Sequence, residues 1–258
     1  VSPRLRVLLL GLAALVLAPC ALAVIAAMPE FGTAIAPYGA RINAVAPAER
    51  NIANMVTAIN FDLRGLDTLG EEFMLLAAVT GTVVLLRGRR GERDGDRAAR
   101  LPGRAVVPRS EAVILACRIA GPLTALFGLY VTVHASLTPG GGFQGGAVLA
   151  SACVLIYLGE GYAGWRRGVR SAVLDAIEGG GALLVVLCGL GPMLVGAAFM
   201  QNVLPFGTFG ALLSGGLVLV ANLGVAAAVT AGFSQLVLEF LEETRAPRPD
   251  GADGGNDA

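Results

Sequence analysis

The chain has 258 residues, 55% hydrophobic and 15% charged, with a formal net charge of zero. A mean hydropathy of +0.71 excludes an ordinary soluble domain, and the balanced charge gives no reason to expect a nucleic-acid partner. All nineteen basic residues are arginine; with abundant Ala and Gly, this composition fits a GC-rich bacterial genome.

In chain order, the apolar run Leu5–Ala27 follows Arg4 and Arg6. It exceeds the roughly 7–15-residue core of a signal peptide and reads as a retained membrane span. The next stretch of about forty residues is interrupted by Pro29, Pro37 and Pro47. A short helix is expected from Ala48 to Phe61, re-entrant or interfacial rather than spanning. A second span covers about 66–87. Asp62, Arg64 and Asp67 precede it, and Glu71 and Glu72 lie about one turn inside. Two readings stand for these charges: an ion pair of Arg64 with Asp67 or Glu71 capping the helix N-terminus, or a hydrated site in which a partly desolvated Glu carries protons.

From Arg87 to Arg109 eight arginines mix with Gly and Asp, the pattern of a flexible linker. The third span, about 112–135, contains Arg118 on the face of Glu111. Arg118 either snorkels to the interface or pairs with a carboxylate of a neighbouring span. His134, the single histidine, ends this span as an interfacial hydrogen-bonding residue or a proton carrier. The segment Thr138-Pro139-Gly140-Gly141-Gly142-Phe143-Gln144-Gly145-Gly146 then places five glycines in seven positions. It is either an external turn with a small-residue packing face, or a place where backbones pack closely or water enters the membrane. The fourth span, about 144–162, ends with Glu160 beside Arg166, Arg167 and Arg170. The fifth, about 178–199, opens with Asp175 and Glu178, and the sixth, about 209–232, carries Asn222, which bonds across helices or holds water.

This is an all-α integral membrane protein of about six transmembrane helices, each long enough to cross a bilayer. An even count puts Arg4, Arg6, the Arg87–Arg109 stretch, Arg166–Arg170, Arg245 and Arg248 on one side, and only Arg41, Arg50 and Arg64 on the other. The positive-inside rule then places both termini in the cytoplasm and the Gly-rich segment outside. The four cysteines, Cys20, Cys117, Cys153 and Cys188, lie in separate spans without metal-ligand spacing and read as small core residues. No cofactor or metal site is expected. Neither a Ser-His-Asp layout nor a phosphate-binding loop is present, since the triple glycine lacks a following Lys-Ser/Thr.

His134–Gly146 (HASLTPGGGFQGG), Asn202–Thr208 (NVLPFGT) and Leu213–Gly216 (LSGG) together resemble the B subunit of Mrp-type, also called Mnh, cation/proton antiporters. The likeness runs over about 111–240. Asn54–Arg87, with Phe61–Glu71 (FDLRGLDTLGE), resembles the C-terminal part of the antiporter A subunit. The resemblance implies a fusion: a two-span module at 1–88, an Arg-rich cytoplasmic linker at 89–110, a four-span B-like domain at 111–243 and a disordered tail at 244–258. It also implies a non-enzymatic subunit in a bacterial cytoplasmic membrane, whose partners are large antiporter-like subunits, small membrane subunits, the lipid bilayer, Na+ and H+. Carboxylate roles in ion or proton passage fall on Glu71 first and Asp67 second. His134, Pro139, Phe143 and Gln144 become interface or hydrated-path candidates, with Gly140, Gly141 and Gly142 the structural motif; Arg118 and Asn222 complete the set. The chain departs from the family pattern at Ser136, where a second His is common, and at Ala226–Ala228, where a Glu is common. The membrane arm of a hydrogenase or complex I-like oxidoreductase uses the same modules and is the alternative.

Overall fold

A computed structural model of the chain describes residues 3–28, 32, 37–90, 110–168 and 171–243. Residues 91–109 of the expected Arg-rich linker and the tail lie outside the described residues. The described residues are helical, with turns and no strand, and six helices are long and apolar enough to cross a membrane. They fall into two compact units, Val1–Ala40 and Arg41–Ala258.

The first unit holds α1 (Pro3–Ala26), whose described side chains are all exposed. α2 spans Pro37–Arg50. The single short helix expected over Ala48–Phe61 is instead three pieces: the end of α2, a break at residues 51–54, and a one-turn α3 (Met55–Ala58) continuing into a π-helical turn (Ile59–Leu63). The break has a visible cause. Asn51 takes φ 55°, and Asn54 caps α3 with its side-chain oxygen, 3.1 Å from the Val56 N–H, the usual role of Asn at a helix start.

The remaining helices are α4 (Gly65–Arg90), α5 (Glu111–Val133), α6 (Gly142–Gly168), α7 (Ser171–Leu190) and α8 (Leu217–Glu243). Gly161, at φ 73°, kinks α6. The Ser110 hydroxyl caps α5, accepting from Val113 N–H at 3.3 Å. α7 starts earlier and ends sooner than its expected span, because Gly191–Val195 tightens into a 3-10 turn led by Pro192. The last helix differs more. Residues 209–216, apolar enough to be read as the start of a span, are turns, with Gly215 and Gly216 at φ 86° and 61°. α8 begins only where the Asn202 side chain receives the Leu217 N–H at 2.9 Å while donating to Gly215 O at 2.8 Å.

α8 is the central helix of the second unit and packs against α4, α6 and α7. Val218, Ala221, Val225, Ala226, Ala228, Val229 and Ala231 are all buried. Small residues set the approach: a Cβ on Gly181 of α7 would meet the Gly224 carbonyl oxygen of α8 at 2.5 Å. Membrane helices lack a hydrophobic drive to associate, so close backbone contact of this kind is the main source of packing energy. The largest apolar cluster joins Val218, Val225 and Val229 of α8 and Val185 of α7 to Ile42, Ile52 and Phe61 of the irregular segment before α4.

Candidate functional site

The Gly-rich segment is a packing joint inside the chain. Gly140 and Gly141 adopt φ 156° and 157°, a region essentially closed to other residues. A Cβ on Gly142 would fall on the backbone oxygen of Asn222, and one on Gly146 would lie 2.8 Å from Val229 Cβ. On the other side, a Cβ on Gly128 of α5 would stand 3.1 Å from Gly145 O. α6 is thus clasped between α5 and α8. The turn before it is held from the irregular segment: Ala53 N–H donates to Ser136 O at 2.9 Å, and the buried Asn54 amide donates to Ala135 O and Thr138 O, each at 2.9 Å.

Asn222 serves the same joint. Its Oδ1 accepts the Gly142 N–H at 2.6 Å, and its Nδ2 donates to Val218 O at 2.8 Å. Of its two sequence readings, this geometry is the cross-helix bond. His134 stacks on Tyr130, with centroids 4.1 Å apart, and its Nδ1 sits 3.2 Å from Tyr130 O. Asp67 makes an exposed ion pair with Arg64 at 2.6 Å. Arg118 pairs with Glu160 of α6 at 2.6 Å.

Three of the sequence-derived residues meet. Glu71, Phe143 and Gln144 line a cavity of about 360 Å³ together with Asn60, Phe61, Thr68, Glu72 and Val225. Asp67, His134, Arg118, Asn222 and Pro139 are not among its lining residues. Phe143 is fixed edge-on against Phe233 at 5.7 Å. Thr68 donates to Asn60 O at 2.6 Å, tying the first turn of α4 to the π-helical turn.

The carboxylates divide by helix face. Glu71 is exposed and Glu72 is 4% exposed. Glu178 of α7 is 6% exposed, and its Oε1 has no hydrogen-bond partner. Gly232 of α8 leaves room for this: a Cβ there would stand 3.2 Å from Glu178 Oε1 and 3.1 Å from Val79 Cγ2 of α4. Gln235, one turn along α8, is 3% exposed with an unpartnered Nε2. Neither Glu72 nor Glu178 is among the path candidates drawn from the sequence. A signal exists in helical phase, since Glu72 shares its face with Val79 and Val83, and Glu178 with Leu174, Ala182 and Val185, all buried. Glu71 shares a face with the exposed Met74 and Leu85.

A second charged pair sits before α4. Arg50 reaches Asp62 at 2.9 Å and lies 5.1 Å from the Phe206 ring centroid. Burial pushes the Asp62 carboxyl above its ordinary value of 3.8, with Arg50 and Asn202 pulling the other way. Among the described residues, no three His, Cys, Asp or Glu side chains converge as metal ligands.

The four-span half of this arrangement matches a known domain. A family model described as a domain related to the MnhB subunit of Na+/H+ antiporter covers residues 112–235. The chain carries an MnhB-related domain in that segment. The B subunit of the Na(+)/H(+) antiporter of Bacillus subtilis is 33% identical over 97 residues, 36% of this chain and 64% of that protein. An uncharacterised protein of Methanocaldococcus jannaschii is 29% identical over 204 residues, 71% of this chain and 75% of that one. Two solved structures extend the likeness beyond the MnhB segment. A chain of the membrane-bound sulfane sulfur reductase, an archaeal respiratory membrane complex, is 30% identical with a TM-score of 0.66, covering 92% of this chain and 98% of its own. A chain of the Mrp complex from Dietzia sp. is 25% identical with the same TM-score of 0.66, covering 96% of this chain and 27% of that longer one.

Proposed function

We propose that this chain is a non-enzymatic subunit of a multisubunit monovalent cation (Na+)/proton antiporter of the bacterial cytoplasmic membrane. It helps hold the large antiporter-like subunits together and contributes carboxylates to a proton or ion path. Both termini face the cytoplasm, and the A-subunit-like module at 1–88 is joined to the B-like domain at 111–243 by the Arg-rich linker.

The observation that carries the path is the Glu72–Glu178 pair. Glu72 lines a cavity beside Val225 of α8 and Glu178 lies beside Gly232, roughly 10 Å further along that helix; each acid, buried at membrane depth, is favoured only with a proton or a cation. Glu72 also lines the cavity that reaches Glu71 and Gln144, so the pair has a polar route on one side. Glu71, at the exposed rim, delivers or collects the ion. Asp67 and His134, engaged with Arg64 and Tyr130, tune the approach.

The test is cation-dependent proton flux in vesicles carrying the assembled complex. Glu72→Gln is expected to reduce flux at least tenfold and Glu71→Gln severalfold. Unchanged flux in an assembled Glu72→Gln complex removes the path and leaves a scaffold.

A second reading, the membrane arm of an oxidoreductase, is favoured by one observation: the respiratory-complex chain is matched over nearly its whole length. Purifying the tagged chain with its partners separates the two. Antiporter-like subunits without redox subunits are expected; co-purifying redox subunits would overturn the main reading.

A further inference from the structure

Glu178 of α7 and Gln235 of α8 each bury a polar atom that no described residue satisfies. The two residues are 6% and 3% exposed, and neither Glu178 Oε1 nor Gln235 Nε2 has a hydrogen-bond partner. One atom is an acceptor and the other a donor. Buried groups of this kind are ordinarily paired with protein or with ordered water.

The helices direct both atoms to one place. Glu178 Oε1 lies 3.2 Å from where a Cβ on Gly232 of α8 would stand, so it sits over a position with no side chain. Gln235 follows Gly232 by three residues on the same face of α8, about 4.5 Å further along the axis. Helical side chains lean back over the turn that precedes them, which carries the Gln235 amide toward the gap over Gly232. A water molecule in that gap accepts from Gln235 and donates to Glu178, and so has the two polar partners that a buried water needs. An N–H aimed at the gap disfavours a bare metal cation there. The next residue of α8 shows the opposite character: Ala231 is closed in an apolar cluster with Leu174 and Leu238.

The same face leads on toward one end of the bundle. Glu239, 3% exposed, stands one turn beyond Gln235 and four residues before the end of α8. Asp175, exposed, stands three residues before Glu178, near the start of α7. Leu174 packs against Leu238, so the start of α7 and the end of α8 lie together. The Gly-rich segment packs at Asn222 and Val225, toward the other end of α8.

We infer that Glu178 and Gln235 hold a water molecule between them over Gly232, and that this water relays protons between Glu178 and the Glu239 end of α8. The Glu178 carboxyl gives its proton to the water as another proton leaves the water toward that end; the reverse transfer restores the acid. Gln235 is a positioning residue, since its amide holds the water oxygen and keeps its own protons. The relay rests on the path proposed above, and it adds the station that follows Glu178 and makes that station one for protons.

The experiment uses the assembled complex in vesicles, with Cys20, Cys117, Cys153 and Cys188 of this chain replaced by alanine. A thiol reacts as its thiolate, which forms where water reaches it. Gln235→Cys is expected to react with methyl methanethiosulfonate about tenfold faster than Ala231→Cys, its neighbour in the apolar cluster. In the otherwise unmodified chain, Gln235→Leu is expected to lower cation-dependent proton flux about fivefold, and Gln235→Asn, which keeps an amide, to stay within about twofold of wild type. Equal reactivity at the two cysteine positions, wild-type flux in Gln235→Leu, or equal losses in the leucine and asparagine variants would each overturn the relay. Glu72→Gln, measured alongside, separates the two readings: if it still lowers flux, only the relay falls, and if it does not, the path falls as well.

Discussion

Two pairs of ionisable side chains sit in the spanning helices on opposite terms. Glu72 and Glu178 are both acids and are buried inside the chain, 4% and 6% exposed. Arg118 and Glu160 carry opposite charges 2.6 Å apart, with side chains 61% and 37% exposed. The first pair is acid with acid and sheltered; the second is balanced in charge and open. Burial favours a proton or a cation at each acid, whereas the ion pair already holds its counter-charge.

The packing around the two pairs differs in the same way. The buried acids lie among helices whose spacing is set by glycines with no room for a methyl group. Gly142→Ala forces a Cβ onto the Asn222 backbone oxygen and is expected to destabilise the chain by about 3 kcal/mol. Gly121→Ala, three residues after Arg118 on α5, meets only ordinary van der Waals contact at 3.7 Å and is expected to change stability by less than about 1 kcal/mol. Thermal unfolding of the two variants in detergent measures the contrast, and equal losses would break it.

A smaller effect is expected at the joint beneath the Gly-rich turn. Asn54→Ala withdraws donors from the carbonyls of Ala135 and Thr138 and is expected to destabilise by about 2 kcal/mol, read by the same melting assay. The smallest involves Asp62. A carboxyl raised above 3.8 holds its proton more tightly in the folded chain than in the unfolded one. The stability it contributes is therefore greatest below 3.8 and declines as pH rises through the folded value. Melting of wild type relative to Asp62→Asn is expected to fall over that window, and a rise would mean that Arg50 outweighs burial.

The spans are legible in the sequence because each needs only a long apolar run, and six such helices form. What is not legible depends on partners far along the chain. Residues 209–216 read as apolar, yet Asn202 decides where α8 starts. The Gly-rich segment announces close packing or water, but its partner, Asn222, lies eighty residues away. At the candidate site the correct neighbours are visible in the sequence and their helical phase is not. Family likeness points to Glu71, and the adjacent Glu72 is the buried one, a distinction that emerges once the α4 face containing Val79 and Val83 is seen to turn inward.

Whether the two buried acids serve one path is tested most directly by cation-dependent proton flux in vesicles, compared for Glu72→Gln, Glu178→Gln and the double variant, each in an assembled complex. If the acids are successive stations on one path, each single change is expected to lower flux at least tenfold, and the double change no further. Flux at the wild-type level in either single variant, or losses that multiply in the double, would contradict a common path.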